Sequence, residues 1–151
     1  MRSVLFGNDE ICYSLERKKV KNINLRIKQS GEVYVSAPLF VCTERIDSFV
    51  LQNAPKILAA KKCYPAFADY CQAVPALKIR KMKGQWGNCR SKSNVITLNS
   101  RLAAYDEKVI EFVVLHEYCH FIHADHSPAF YAELSAVMPE WRVYDKVLKN
   151  R

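Results

Sequence analysis

The sequence lacks the features that mark exported, membrane-spanning and disulfide-built proteins. No apolar run approaches the ~20 residues of a membrane-spanning helix, and Ser3–Phe6 is too short for the core of a secretory signal. The six cysteines show no CxxC spacing, so we expect reduced thiols and no cysteine-bound zinc. Repeats and low-complexity segments are also absent. These absences predict a cytoplasmic protein with no membrane partner.

The 151 residues are half apolar, which is enough to build the core of one domain. We expect a single domain over residues 1–151 that has two parts. Pro65 and Pro75 bracket a connecting segment between them. Residues 1–74 therefore form an N-terminal part, and residues 75–151 form a C-terminal core.

Hydrophobic periodicity predicts an α+β fold. Apolar and polar residues alternate through the N-terminal region, which indicates an antiparallel β layer. A helix is expected to begin near Thr43 and to stop or bend at Pro55. Two further strands, Leu77–Met82 and Val95–Asn99, flank a polar loop and precede a helical final third. We therefore expect a C-terminal helix packed on a small sheet, preceded by the N-terminal β layer and its helix.

The formal net charge is +8, from 23 basic and 15 acidic residues. The basic side chains concentrate in two stretches, which are Arg17, Lys18, Lys19, Lys21, Arg26 and Lys28, and then Lys78, Arg80, Lys81, Lys83, Arg90 and Lys92. They are either solvated strand faces and loops, or a surface that attracts a nucleic acid, a nucleotide or an acidic polypeptide. Aromatic residues are not interleaved with these cations, so nucleic-acid binding has no further support.

All four histidines lie between positions 116 and 126. His116, Glu117 and His120 form an HExxH motif in a predicted helix. A spacing of four places two imidazoles on one helical face, where both can bind one ion at ~2.0–2.1 Å. Glu117 lies about 100° around the helix, in the position of a base rather than a ligand. The motif predicts a metal site that suits Zn²⁺, although other divalent transition metals also accept imidazole ligands.

The third ligand is expected to be His126. In an unbroken helix His123 would lie ~10.5 Å along the axis from His116, which is too far for one ion. If the chain turns back near His123, His126 reaches the site, as in the HExxHxxGxxH spacing with His123 at the glycine position. Histidine is among the residues enriched at positive φ, so it is compatible with such a turn. His123 and Glu133 stay as alternative third ligands.

This set of side chains predicts a metal-dependent hydrolase. The bound ion lowers the pKa of a water from ~15.7 towards ~7, and Glu117 takes its proton and passes it to the leaving group. The bond broken is a peptide bond or, given the basic charge, a phosphoanhydride of a nucleotide, as in a pyrophosphatase-type enzyme. A nucleic-acid-binding module with structural zinc is disfavoured, because no fourth protein ligand is evident.

Five stretches carry a likeness to a known family. They are Gln85–Cys89, Ile96–Leu102, Val114–His120, Asp125–Tyr131 and Val33–Pro38. These stretches resemble the YgjP-like family of zinc metallopeptidases, which are minimal zincins related to the SprT and WLM domains. The likeness spans nearly the whole chain and departs from the family's usual residues at Gln85, Asn88, Asp125 and Tyr131. It implies a zincin-like fold, peptidase activity, and zinc bound by His116, His120 and His126.

The resemblance also implies where a substrate binds. Zincins pair an extended substrate with the edge strand above the metal helix through main-chain hydrogen bonds. Val95–Asn99 is expected to be that edge strand, and Trp86, Arg90 and Asn99 are candidate substrate contacts. The expected substrate is a peptide or protein segment, with a nucleotide as the alternative.

Overall fold

The computed structural model describes residues 1–71 and 73–150, in which one mixed seven-stranded sheet is packed with α-helices. The strands are β1 (Arg2–Phe6), β2 (Asp9–Lys18), β3 (Asn24–Ile27), β4 (Val33–Pro38), β5 (Ala76–Arg80), β6 (Gly87–Arg90) and β7 (Val95–Asn99). The α-helices are α1 (Thr43–Cys63), α2 (Glu107–Cys119), α3 (Pro128–Val137) and α4 (Trp141–Lys149). Short 3₁₀ segments lie at Tyr64–Tyr70, Ser91–Ser93 and Ser100–Ala104.

The two predicted parts of the chain share this sheet, whose strand order is β1-β2-β4-β3-β5-β7-β6. β3 pairs with β5 in the register Leu25↔Ile79, so the N-terminal layer continues directly into the C-terminal strands. The α+β prediction is confirmed. The N-terminal layer is mixed and not purely antiparallel. β3 and β4 form an antiparallel hairpin, but β4 of this hairpin lies beside β2, and β4 and β2 run parallel. Gln72 of the predicted connecting segment and Arg151 at the end of the predicted core lie outside the described residues.

α1 runs through Pro55 as one helix of 21 residues, although the sequence predicts a stop or bend there. Val50, Ala54 and Ile57 surround the proline and are fully buried. The proline removes one backbone donor from the helix, and burial of the apolar side chains on both sides of it offsets that loss. The predicted break is wrong because tertiary packing overrides the local preference.

The edge strand of the sheet near α2 is β6. β7 is paired on both sides, in parallel with β5 and antiparallel with β6. The prediction that Val95–Asn99 forms the edge is therefore wrong. The residues of β6 were expected in a polar loop, because a short segment with glycine and no alternating apolar residues carries no strand signal.

Two further predictions concerned membrane-spanning segments and the state of the cysteines. Within the described residues, no helix is long and apolar enough to cross a bilayer. All six cysteines are free thiols, as expected, and Cys63 and Cys119 are buried in the core.

Candidate metal centre

The C-terminal end of α2 carries the HExxH residues. The preceding apolar run is buried against α1 and the sheet through Val113, Val114 and Leu115, which fixes the rotation of the helix. α2 ends at Cys119, and His120 follows it with helical backbone angles of φ −68° and ψ −13°. The rings of His116 and His120 therefore lie on one face, with centroids 5.2 Å apart.

The chain turns back immediately after this helix. The backbone N–H groups of Ile122 and His123 both donate to the carbonyl of Cys119. His123 is not in the left-handed region, since Asn94 is the only described non-glycine residue with positive φ. The prediction that His123 takes the glycine-like turn position is wrong, because tight helical turns reverse the chain without it.

His126 is presented to α2 by the start of α3. Ser127 caps α3 by accepting a hydrogen bond from the backbone N–H of Phe130 at 3.4 Å, and Pro128 occupies the first turn, as the Ser-Pro order predicts. This cap fixes the direction in which the chain enters α3. The exposed ring of His126 consequently lies 4.9 Å from that of His116 and 4.8 Å from that of His120, centroid to centroid.

The three rings turn nitrogen atoms towards one another. One ligand atom from each of His116, His120 and His126 lies within 4.8 Å of the others. The Nε2 atoms of His116 and His126 are 2.9 Å apart. Tetrahedral zinc with bonds of ~2.0–2.1 Å holds its nitrogens ~3.3 Å apart, so the donor set fits such an ion.

Hydrogen bonding and burial favour the ring orientation and the neutral form in which imidazoles bind a metal ion. His120 Nδ1 lies 3.0 Å from the carbonyl oxygen of His123 and donates to it, which leaves Nε2 of His120 as the ligand atom. Burial, followed by the neighbouring His120 and His126, lowers the pKa of His116 to about 4. Burial also lowers the pKa of His120. Both rings are therefore neutral near pH 7, which is the form that binds metal ions.

The ring of Phe130 packs against the rings of all three histidines. Its ring centroid lies 4.9 Å from that of His116, 4.7 Å from that of His120 and 4.9 Å from that of His126. Phe130 is fully buried, so the three rings rest on a fixed apolar base. This role of Phe130 was not predicted from the sequence. The only signal for it was its place in the Asp125–Tyr131 stretch that carries the family likeness.

Glu117 is buried beside the histidines, with 5% of its surface exposed. It lies against Gly87 of β6, where a Cβ atom would meet Glu117 Oε1 at 2.7 Å. Burial raises the pKa of Glu117 to about 8. The adjacent Cys89 is not a nucleophile at neutral pH, because burial and the nearby Glu117 raise the pKa of its thiol to about 12.

The histidines and Glu117 open into a cleft of about 510 Å³. One wall is the segment from Gln85 to Cys89, which includes most of β6. The lining also includes Asp145, Leu148 and Lys149 of α4. Lys149 Nζ pairs with Asp145 Oδ2 at 2.6 Å. No feature of the sequence pointed to α4 as a wall, since its position depends on tertiary packing alone.

The three candidate substrate contacts have different environments. Trp86 lines the cleft, with Tyr105 edge-on at 5.3 Å and the Arg101 guanidinium 5.6 Å from its ring. Arg90 is exposed and Asn99 is buried, and neither lines the cleft. Asn99 instead donates from Nδ2 to the carbonyl oxygens of Met82 and Gln85, both at 2.9 Å, and so holds the loop before β6. The positions of Arg90 and Asn99 therefore do not support their expected role as substrate contacts in the cleft.

The two alternative third ligands lie outside the cluster. His123 contributes its carbonyl oxygen to His120 and not its ring to the group of converging nitrogens. Glu133 of α3 is also not part of that group within the described residues. His126 is therefore the third side chain that the fold brings to the HExxH pair.

An HExxH helix with a third histidine, beside the edge of a sheet, is the arrangement of zincin-type metallopeptidase domains. The chain belongs to the YgjP-like family, because the model of the YgjP-like metallopeptidase domain matches residues 62–151. The resemblance inferred from the sequence is confirmed.

A solved structure adds evidence on the fold. The crystal structure of the metallopeptidase zymogen jannalysin of Methanocaldococcus jannaschii is similar, with a TM-score of 0.53 and 19% identity over 63% of this chain and 95% of that chain. At this identity the likeness concerns the fold alone, and it confirms the zincin-like fold class. No curated protein matches the chain.

Proposed function

We propose that this protein is a zinc-dependent peptidase in which His116, His120 and His126 hold the ion and Glu117 is the general base. The observation that carries the proposal is the convergence of three imidazoles beside the buried side chain of Glu117, in an open cleft. Membership of a metallopeptidase-domain family supports the same reading. Zinc is preferred because three imidazole ligands suit it, although other divalent transition metals accept the same ligands.

The chemistry divides between the ion and the protein. A zinc ion bound by three imidazoles supplies a Lewis acid that activates water and polarises a carbonyl oxygen. A cation held by the three histidines would favour the ionised form of Glu117 and so offset the effect of burial on its pKa. The carboxylate of Glu117 then accepts the proton of the attacking water at Oε1 or Oε2 and delivers it to the nitrogen of the leaving amine. Phe130 and the carbonyl of His123 keep the rings fixed during this transfer.

The cleft favours a peptide over a nucleotide. Among the strands of the described residues β6 pairs only with β7, so its other edge is available to an extended peptide through main-chain hydrogen bonds. Trp86, next to β6, offers an apolar contact for a substrate side chain. The one cation in the described lining of the cleft is Lys149, and Asp145 already neutralises it. A triphosphate would therefore find no unneutralised lysine or arginine there.

The test compares wild type with Glu117→Gln. Both proteins are loaded with zinc, their metal content is equalised, and they are incubated with a peptide library and a panel of nucleoside triphosphates. We expect the variant to lose peptide hydrolysis by a factor of about 10²–10⁴, since it lacks the proton acceptor. Equal activity of the two proteins would exclude Glu117 as the base. Hydrolysis of triphosphates without any peptide cleavage would replace the peptidase by the nucleotide phosphohydrolase.

The ligand assignment has its own readout. His126→Ala is expected to weaken zinc binding, measured by competition with a chromogenic chelator, while His123→Ala keeps its affinity because only its backbone oxygen contacts His120. If His126→Ala binds zinc as tightly as wild type, the third ligand is a different residue.

A further inference from the structure

A second groove lies away from the histidines, between α1 and the ends of β3 and β5. It encloses about 770 Å³. Four exposed cations line its rim, which are Lys21, Arg45, Arg80 and Lys81. No aspartate or glutamate is among the described lining residues, and none of the ion pairs found in the described chain involves these four cations. Their charge is therefore available to a partner.

The floor of the groove is apolar. Ile23, Val41 and Phe49 line it and are half-buried, and Ile79 beneath them is buried. A bare phosphate or a nucleic-acid backbone would use the cations and leave this floor in contact with water. A polypeptide segment with both acidic and apolar side chains can pair with the cations of the rim and bury its apolar side chains against the floor.

The groove is connected to the cleft by a fixed path. Arg80 and Lys81 also line a shallow depression that continues past Lys83 to Gln85, and Gln85 is a wall of the cleft. The two hydrogen bonds from Asn99 to the carbonyls at the ends of this loop hold it in place. The shallow depression thus shares lining residues with the groove at one end and with the cleft at the other.

We propose that the groove is an exosite that binds an acidic, partly apolar segment of the polypeptide substrate and directs the adjoining segment into the cleft. This inference rests on the proposed peptidase function and adds a substrate class to it. It assigns part of the basic charge of the chain to substrate selection. The cleft itself, with its single neutralised lysine, does not supply this selectivity.

The first experiment measures binding without cleavage. A fluorescent peptide with a tract of alternating glutamate and leucine is titrated with Glu117→Gln, and its anisotropy is compared with that of a peptide carrying glutamine for glutamate. The groove variant adds Arg45→Glu and Lys81→Glu, and the matched control adds Lys61→Glu and Lys92→Glu, which are exposed cations outside the groove. We expect the groove variant and the glutamine peptide each to weaken binding at least about tenfold, and the control to leave it unchanged.

Two results of this titration would overturn the exosite. One is equal Kd values for the groove variant and the control. The other is displacement of the acidic peptide by inorganic polyphosphate or a single-stranded oligonucleotide at lower concentration than by unlabelled peptide, which would make the groove a phosphate-binding surface.

The second experiment separates this proposal from the peptidase proposal. In enzymes that keep Glu117, kcat/KM is measured for a peptide with the acidic tract and for the same peptide without it. The quantity compared is the ratio of these two kcat/KM values. We expect the groove substitutions to lower this ratio about tenfold, and the control substitutions to preserve it. Cleavage of both peptides at equal kcat/KM would refute the exosite and leave the peptidase standing. Tight binding of the acidic tract without cleavage of any peptide would refute the peptidase and, with it, the exosite role, and would leave the groove as a binding site for acidic polypeptides alone.

Discussion

Gly87 lets the carboxylate of Glu117 lie directly against the backbone of β6. A Cβ at this position would meet Glu117 Oε1 at 2.7 Å, Cγ at 2.8 Å and Cδ at 3.0 Å. Glu117 is buried between the histidines and the sheet, so its side chain has little space to yield. Gly87 is therefore a positioning residue, because any side chain here moves the proposed base away from its place.

We predict that Gly87→Ala lowers peptide hydrolysis by a factor of about 10², the effect expected when a catalytic group is displaced by about 1 Å. Zinc affinity should stay at the wild-type value, because the atoms nearest to the added Cβ belong to Glu117 and not to the three histidines. The measurement is kcat/KM at equal metal content. Gly84→Ala is the matched control, since nothing lies within 4 Å of its Cβ position. Equal kcat/KM for the two variants would contradict the positioning role.

The chemistry-bearing residues of the site differ in how far sequence alone predicts them. His116, Glu117 and His120 are predictable because a local helix with a known period fixes their relation. His126 required the further assumption that the chain turns back. Gly87 and Phe130 were missed because their roles exist only as contacts between elements distant in sequence.

α1 contributes a buried lysine to the junction between the two predicted parts. Lys56 is fully buried, and its Nζ donates to Asn53 Oδ1 at 2.8 Å and to the Ser100 carbonyl at 3.4 Å. Burial lowers the pKa of Lys56 from 10.5 to about 8. Below pH 8 both the folded and the unfolded chain hold the proton, and the desolvation cost opposes folding in full. Between pH 8 and 10.5 the unfolded chain binds more protons, so this group makes stability rise with pH.

We predict that the free energy of unfolding of wild type gains about 2 kcal/mol relative to Lys56→Met between pH 7 and pH 9.5. The measurement is denaturant unfolding of both proteins at each pH. Buried thiols act in the opposite direction, because the pKa values of Cys63, Cys89 and Cys119 are raised to about 12. They are common to both proteins and cancel in the difference. A difference that does not vary with pH would show that Lys56 is not desolvated in this way.

Helices and strands differed in predictability for a physical reason. α2 and the start of α3 have strong local signals, an apolar run and a Ser-Pro cap, and both lie in the final third that was expected to be helical. The continuation of α1 through Pro55 depends on burial that no local pattern reveals. β6 is a strand because β7 supplies its hydrogen-bond partners, although its own residues favour a loop.

The charge of the molecule is unevenly distributed over its surface. The formal net charge is +8, yet the one cation in the described lining of the cleft is a neutralised lysine, whereas four exposed cations line the second groove. Arg26 on β3 stands directly opposite Lys78 on β5. Like charges at such cross-strand positions destabilise a sheet. The Arg26–Lys78 pair therefore reduces the stability of the sheet.

We predict that Lys78→Glu stabilises the protein by about 0.5–1 kcal/mol at low ionic strength, because it replaces repulsion of Arg26 by attraction. Lys92→Glu is the control, since it changes the net charge equally and lies in the exposed Ser91–Ser93 turn outside the sheet. Denaturant unfolding of both variants at ~20 mM and ~300 mM salt provides the measurement. The advantage of Lys78→Glu over Lys92→Glu should shrink at high salt, because screening weakens exposed pairs. If the two variants are equally stable at low salt, cross-strand repulsion does not limit the stability of this sheet.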